Sequence, residues 1–463
     1  MKKTILVLMV IGFIVGTIFI TSAVGYLLGG WAEQWHLGWL TNLFILILGF
    51  VMIIATVLTL AERKWSAMMQ DRIGPNRARI NLPGLRNNSL GGLPHVISDS
   101  VKMLTKEDFR PKRADALLFN LGPILAFAPV LALFAVIPAG PTVTVFGRPF
   151  SFQIADPNFG LLWIFAIASL AVYGTTLAGW ASNNKFALLG GVRASSQMIS
   201  YEVALGLGLV GVMMAFSSLR IPNLIAGQTL QLWGSSEELG FFGRVGIPAW
   251  GLFIQPVGFI VFFAAAFAET KRAPFDVPEG ESEIIGYFVE YSGMKFGLFM
   301  ISEFAEVVIL SSITTALFLG GWNLGFAFDS TLSRAFGPDL GWLLGAIYST
   351  IFWVKVLILC YIQLAIRWTF PRFRYDQIQN LGWKILLPLA LSNIFITGAL
   401  ILIDPSLRTL AVVGFIEIGF ILALTLRRAE PAGGHAADDR HPASDAHGHA
   451  PAPLPGATAA SHH

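Results

Sequence analysis

The chain has 463 residues, of which 55% are hydrophobic and only 13% charged, with a formal net charge of +3 and a mean hydropathy of +0.66. A soluble domain carries roughly 25% charged residues, so this composition excludes an ordinary soluble protein, and so small a net charge argues against a nucleic-acid partner. One cysteine, Cys360, rules out an intrachain disulfide and an iron–sulfur cluster held by this chain alone.

Ten apolar runs, each near the roughly 20 residues that cross a bilayer, fall at about 4–28, 41–61, 114–138, 159–180, 197–217, 248–268, 297–320, 341–366, 384–403 and 409–427. They predict an all-α polytopic membrane protein built as one helical bundle. The first run follows "MKK" but is long for a signal-peptide core and has no clean A-x-A site after it, so it is expected to be a retained helix.

With the N-terminus inside, the loop after the second run is inside too. It carries Arg63, Lys64, Arg72, Arg77, Arg79, Arg86, Lys102, Lys106, Arg110, Lys112 and Arg113. Only Arg148, Arg220, Arg244, Arg334 and Arg408 fall in the opposite loops, with Lys355 inside a run. This bias puts the basic loops, the acidic segment described below and the C-terminal tail on the cytoplasmic side. Within the long loop, "LPHVISDSVKMLTKED" sets Leu93, Val96, Ile97, Val101 and Leu104 against Asp99, Lys102 and Lys106. That spacing predicts a short amphipathic helix along the membrane surface, either a plain anchor or the lining of a lateral access route for a lipid-soluble ligand.

Further on, "GLGLVG" (Gly206–Gly211) matches a dinucleotide-binding pattern but lies inside a span with no strand before it, so close helix packing is the expected role. A charged residue at a helix centre costs roughly 2.5–3.5 kcal/mol on insertion scales. Glu202, Glu303, Glu306, Lys355 and Glu417 all lie within or at the ends of spans, and Glu303 and Glu306 are one helical turn apart. Singly, each reads as an ion pair between neighbouring helices; together they point to a hydrated polar path.

The stretch "FAETKRAPFDVPEGESEIIGYFVEYS" (Phe267–Ser292) gathers Glu269, Asp276, Glu279, Glu281, Glu283 and Glu290 against only Lys271 and Arg272. Asp276, Pro278 and Glu279 predict a helix start, after which Glu279 and Glu283 share a face. Like charges so placed repel, and in low dielectric repulsion and desolvation both favour the neutral carboxyl. Such a row can pass protons or respond to a charge arriving nearby. A solvated acidic loop is the plain alternative, but the interleaved "IIGYFV" suggests partial burial. From Glu430 the chain turns to Ala, Pro, Gly, His and Asp, a solvated tail too poor in apolar residues to form a core.

Four stretches, "AERKWSAMMQDRIGPNR", "AGWASNNKFALLGGVRASSQMISYEV", "FAETKRAPFDVPEGESE" and "FPRFRYDQIQNLGWKILLP", occur in this order. Together they resemble the H subunit of respiratory NADH:quinone oxidoreductase, complex I, also called NADH dehydrogenase subunit 1, over roughly residues 41–403. The resemblance implies a subunit of a proton-translocating enzyme that joins the membrane and peripheral arms and forms much of the quinone tunnel. The proton path would run through Glu202, Glu269, Glu279, Glu281, Glu283, Glu290 and Glu303. The tunnel would use Arg63, Arg72, Asp99, Lys102, Arg372 and Arg374, with Glu107 in the same helix motif as Asp99 and Lys102. Quinone would be the substrate. This chain would hold no metal and no redox centre, the iron–sulfur clusters and FMN lying in partner subunits. Expected partners are the cluster-bearing peripheral subunits, the small membrane subunits and the antiporter-like subunits, in a bacterial plasma membrane.

Residues 1–40 and 404–428 would add one helix each outside the family core at 41–403, residues 429–463 would form the tail, and "ARINLPGLRNNSLGG" would be an insertion. The alternative is the membrane anchor of a related ion-translocating hydrogenase, which needs no quinone tunnel. An independent secondary transporter would require internal inverted repeats, and none is evident.

Overall fold

The computed structural model describes residues 2–79, 90–233, 247–278, 280, 284, 286–325 and 341–428. Glu279, Glu281 and Glu283, Arg86, Arg244, Arg334, most of the insertion and the tail lie outside the described residues.

Hydropathy dominates the architecture. Helices α1 (Lys2–Ala32), α2 (Gly38–Met69), α4 (Ala116–Phe134), α5 (Gly160–Ala181), α6 (Lys185–Phe216), α10 (Gly293–Phe318), α11 (Gly341–Thr369), α12 (Tyr375–Ile403) and α13 (Arg408–Arg428) are the long apolar helices. The amphipathic α3 (Leu93–Thr105), short α7 (Ile221–Gly227) and α8 (Gly251–Ile254), and α9 (Pro256–Glu269) complete the helical set. With α9 counted, the described residues hold the ten apolar helices expected of a polytopic membrane protein. The bundle runs through Ile418; residues from Gly419 belong to a separate unit, helical as far as Arg428.

Three boundaries differ from expectation. The span at 248–268 is not continuous. Pro256 lacks an N–H and crowds the residue before it, and Gln255 leaves the helical region at φ −141° and ψ 56°, which separates α8 from α9. The helix expected from 197 begins at Lys185, because Asn184 caps it by accepting from the Phe186 N–H and its first three turns project beyond the apolar run. Likewise α12 starts at Tyr375 rather than 384, with wide π-helical turns over Leu381–Leu386. A second π-helical stretch, Leu43–Met52, lies inside α2.

The centre of the bundle is α10. From Ser302 to Phe318 every residue but Val307 is buried, so its glutamates face protein rather than lipid. Small residues permit the closest approaches. Gly208 of the "GLGLVG" stretch lies against Gly258 of α9, where a Cβ on either residue would come within 3.2 Å or less of backbone atoms of the other helix. The packing reading of that stretch holds. At the N-terminal edge, a ribbon of β1 (Val143–Val145) and β2 (Arg148–Phe150) packs under Gly29 and Gly30 of α1, with Phe152 just beyond it under Gly25, and the Ser22 hydroxyl donates to Ser349 Oγ of α11 at 3.1 Å. Nothing in the apolar pattern singles this ribbon out. Helix α3 keeps Leu93, Ile97, Val101 and Leu104 exposed in one stripe, as expected for a surface helix.

A buried ion-pair cluster as the candidate functional site

The helices turn at a common end, where α2, α5, α9 and α11 finish and α6, α10 and α12 begin. There "ETKRAPFD" leaves α9 and folds back into the bundle. Glu269, Lys271 and Arg272 are all buried, as are Glu303 and Glu306 on α10. Charges are tolerated so far from water only when paired, and the pairs are explicit. Arg272 Nη2 lies 3.0 Å from Glu303 Oε2 and Arg272 Nη1 lies 3.5 Å from Glu62 Oε2. Arg367 Nη1 of α11 reaches the same Glu62 oxygen at 2.8 Å, and Lys271 Nζ stands 3.7 Å from Glu306 Oε2. The Tyr287 hydroxyl donates to Glu303 Oε1 at 3.3 Å, and the Arg272 guanidinium lies 4.2 Å over the Phe304 ring. Glu269 is within electrostatic reach of Glu306, Glu202 and Lys271.

The loop after this cluster is pinned at several points. Gln197 of α6 donates from Nε2 to the carbonyls of Ala268 and Phe275, at 2.7 and 2.8 Å. The Phe373 N–H donates to Pro274 O at 3.0 Å, and the rings of Phe275 and Phe373 meet at 5.5 Å. Arg372 packs so closely on Gly280 that any Cβ there would overlap its guanidinium. The helix expected to start at Asp276 falls mostly on residues outside the described set, Glu279, Glu281 and Glu283 among them; the described residues from 270 to 292 are not helical, although the Ile284 N–H donates to Gly280 O at 2.9 Å. Among the described residues the buried Asp276 Oδ1 has no hydrogen-bond partner. Burial pushes this carboxyl up to about 6, with Glu303 also raising it and Arg372, Arg367 and Arg272 opposing.

Two cavities meet at Glu62. One, of about 30 Å³, is enclosed by Leu58, Glu62, Arg272, Phe304, Cys360 and Gln363 among others, enough to hold a water. The other, about 500 Å³, is a cleft lined by Glu62, Arg63, Arg72, Arg77, His95 and Trp368 together with the "GPN" backbone. Arg63 pairs with Asp99 of α3. Arg72 donates from Nε to Gln70 Oε1 at 2.7 Å, Lys102 is exposed on α3, and Arg374 precedes α12 with its N–H on Gln377 Oε1 at 3.0 Å.

The structure therefore brings Glu269 and Glu303 together, with half-buried Glu202 close by, and sets Arg63, Arg72 and Asp99 around one cleft. Arg372 stands instead against Gly280 and Asp276. Glu290 is apart: it accepts from Asn184 Nδ2 at 2.7 Å, beside Lys112, Arg113 and Lys185. Lys355 lies at the opposite end of α10, donating to the carbonyls of Leu319, Gly321 and Asn323 at 2.6–3.0 Å.

Sequence reasoning missed Glu62, Arg367 and the central place of Arg272. Glu62 sits at the end of an apolar run and reads as the start of a loop; its signal is its position beside Arg63 at a membrane boundary.

Residues 41–398 match the family model described as NADH dehydrogenase. The chain belongs to this family. The H subunit (form 1) of NADH-quinone oxidoreductase from Cytophaga hutchinsonii is 41% identical over 353 residues, 76% of this chain and 93% of that protein. The corresponding H subunit (form 2) from Geobacter sulfurreducens is 42% identical over 354 residues, again 76% and 93%. The H subunit from Flavobacterium johnsoniae is 40% identical over 362 residues, 77% and 93%. As a homologue of these H subunits, the chain is a membrane subunit of complex I involved in quinone handling. Helices α1 and α13 lie outside the matched region, and among the described residues no group of three or more His, Cys, Asp or Glu could hold a metal ion.

Proposed function

We propose that this subunit admits quinone through the cleft beside α3 and converts its reduction into proton movement through the buried cluster. The observation that carries this reading is the position of Glu62. It lines the 500 Å³ cleft and the 30 Å³ internal cavity, and it shares Arg272 with Glu303.

Among the described residues, four carboxylates (Glu62, Glu269, Glu303, Glu306) face three cations (Lys271, Arg272, Arg367). Carboxylates gathered so closely in a low-dielectric site favour holding a proton in common. Negative charge developing on a quinone in the cleft draws Arg272 and Arg367 toward Glu62. Glu303 then loses part of its counter-charge and takes up the shared proton, while Glu269 and Glu202 extend the route into α6. Glu279, Glu281 and Glu283 of the same loop, and Glu290 beyond it, are proposed as the supply on the cytoplasmic side. Arg63, Arg72, Asp99, Lys102 and Arg374 serve the quinone route, Arg372 also holds the acidic loop at Gly280 and Asp276, and electrons arrive from iron–sulfur clusters and FMN in partner subunits.

The test is photolabelling of the assembled complex with a quinone analogue, together with a Glu62→Gln variant. Labelling within residues 62–113, and a variant that still reduces quinone but translocates few protons, are expected. Absence of label from that segment refutes the tunnel. Full coupling in an assembled Glu62→Gln complex refutes the relay. The hydrogenase-anchor alternative predicts neither label nor nicotinamide-oxidising partner subunits.

A further inference from the structure

We propose that a second site on this chain, separate from the quinone cleft, binds the phosphate headgroup of an anionic phospholipid. A cavity of about 520 Å³ lies where α5 ends and α6 begins, lined by Lys112, Arg113, Lys185, Ser182, Asn183 and Asn184 among others. Its three cations are exposed, and among the described residues none of them makes an ion pair or a side-chain hydrogen bond; Lys185 only lies 5.3 Å over the ring of Phe186. The one acid in the cavity, Glu290, is turned to the Asn184 amide at 2.7 Å. The site is thus a concave, net-positive surface, three cations to one carboxylate and lined also by Asn183, which suits a phosphate.

Its level in the molecule selects a lipid over a soluble anion. Lys112 and Arg113 precede the start of α4 at Ala116 by three or four residues, and Lys185 opens α6. Lys185 also follows the end of α5 at Ala181 by four residues, so the cations stand about one helical turn beyond α4 and α5, the depth of headgroups. Just below them Trp180 is 57% exposed and Leu117 75% exposed, and bare side chains continue down α4 through Leu121 and Ile124. A tryptophan at this depth is a common interfacial anchor, and the apolar strip offers acyl chains a path that a free phosphate would not use.

The experiment uses the assembled complex purified in mild detergent and supplied with phosphatidylglycerol bearing a photoreactive headgroup. Label is expected in residues 109–117 and 180–190, displaced by phosphatidylglycerol but not by phosphatidylcholine or millimolar inorganic phosphate. Each basic residue near an anionic surface contributes roughly fivefold in binding, so Lys112→Ala, Arg113→Ala and Lys185→Ala together should weaken retention roughly a hundredfold. Equal displacement by phosphatidylcholine overturns the proposal. Displacement by inorganic phosphate makes the site one for a soluble anion and also overturns it. Cross-links from Lys112 or Lys185 to acidic residues of a partner subunit, without lipid label, make it a protein contact and overturn it as well. The wild-type labelling decides the matter even if the triple variant fails to assemble.

Discussion

Two sets of buried polar groups sit at opposite ends of α10 and differ in kind. At its C-terminal end the groups are carboxamides, carbonyls and one ammonium, joined by short hydrogen bonds. Gln228 donates to Ala316 O and accepts from the Gly251 and Gly320 N–H groups, and Lys355 caps three carbonyls. Nearby, Gln255, exposed to its neighbours by the break before Pro256, accepts from Asn393 Nδ2 at 2.7 Å and donates to Thr397 Oγ1 at 2.8 Å. At the N-terminal end the groups are carboxylates, two arginines and a lysine. The pairs lengthen to 3.5 and 3.7 Å, Glu306 Oε2 has no hydrogen bond, and a cavity remains between them. A fully satisfied polar network specifies one arrangement. An incompletely satisfied charged one has several arrangements close in energy, which a mobile proton or an incoming charge can reorder.

This contrast can be broken in several ways, of which Arg272→Ala should be the most damaging. It strands Glu303 as a buried charge, leaves Glu62 with Arg367 alone, and should cost about 3–5 kcal/mol, read as a large fall in thermal midpoint and in yield of assembled complex. Restoring neutrality with Glu62→Gln and Glu303→Gln in the same chain should return much of the stability but not the coupling. Glu303→Gln alone keeps a neutral acceptor beside Arg272 and Tyr287. Quinone should still bind, while proton translocation measured in proteoliposomes should fall roughly a hundredfold, the low end for a lost proton-transfer group.

At the other end, Gln255→Leu should destabilise by about 1–3 kcal/mol through the abandoned Asn393 and Thr397 groups, and protons moved per quinone should be unchanged. A coupling defect there would erase the distinction drawn between the two ends. The smallest effect concerns Asp276. Its carboxyl is raised from 3.8 to about 6, mainly by burial, so the folded state holds this proton where the unfolded chain has released it. Stability should therefore fall as pH rises through that interval and level off above it. Asp276→Asn should flatten this part of the thermal-midpoint profile, whereas an unaltered slope would mean that Asp276 is not its source.

Much of this was legible in the sequence for simple reasons. Apolar runs must become helices in a bilayer, so the spans could be counted, and Glu303 and Glu306 could be seen to share a face of one of them. Four motifs in order identified the family. The break at Gln255 had a local signal in the following proline, but its use, a carboxamide bridging α8–α9 to α12, did not. The helix expected from Asp276 falls mostly on residues outside those described, and no local pattern shows that Gln197 and Phe373 pin the chain just before it, at Ala268, Pro274 and Phe275. Glu62 and Arg272 are 210 positions apart, and no local pattern joins them.

What the amino-acid order determined by itself is whatever depends on transfer from water to hydrocarbon: the number of spans, their approximate ends and the exposed apolar face of α3. Which carboxylate meets which cation, where the loop turns inward and which cavities share a wall were decided only by tertiary structure. Ion pairing acts over a few ångströms between residues that the chain brings together from distant positions, and each charge is tolerable in the interior only once its partner is in place.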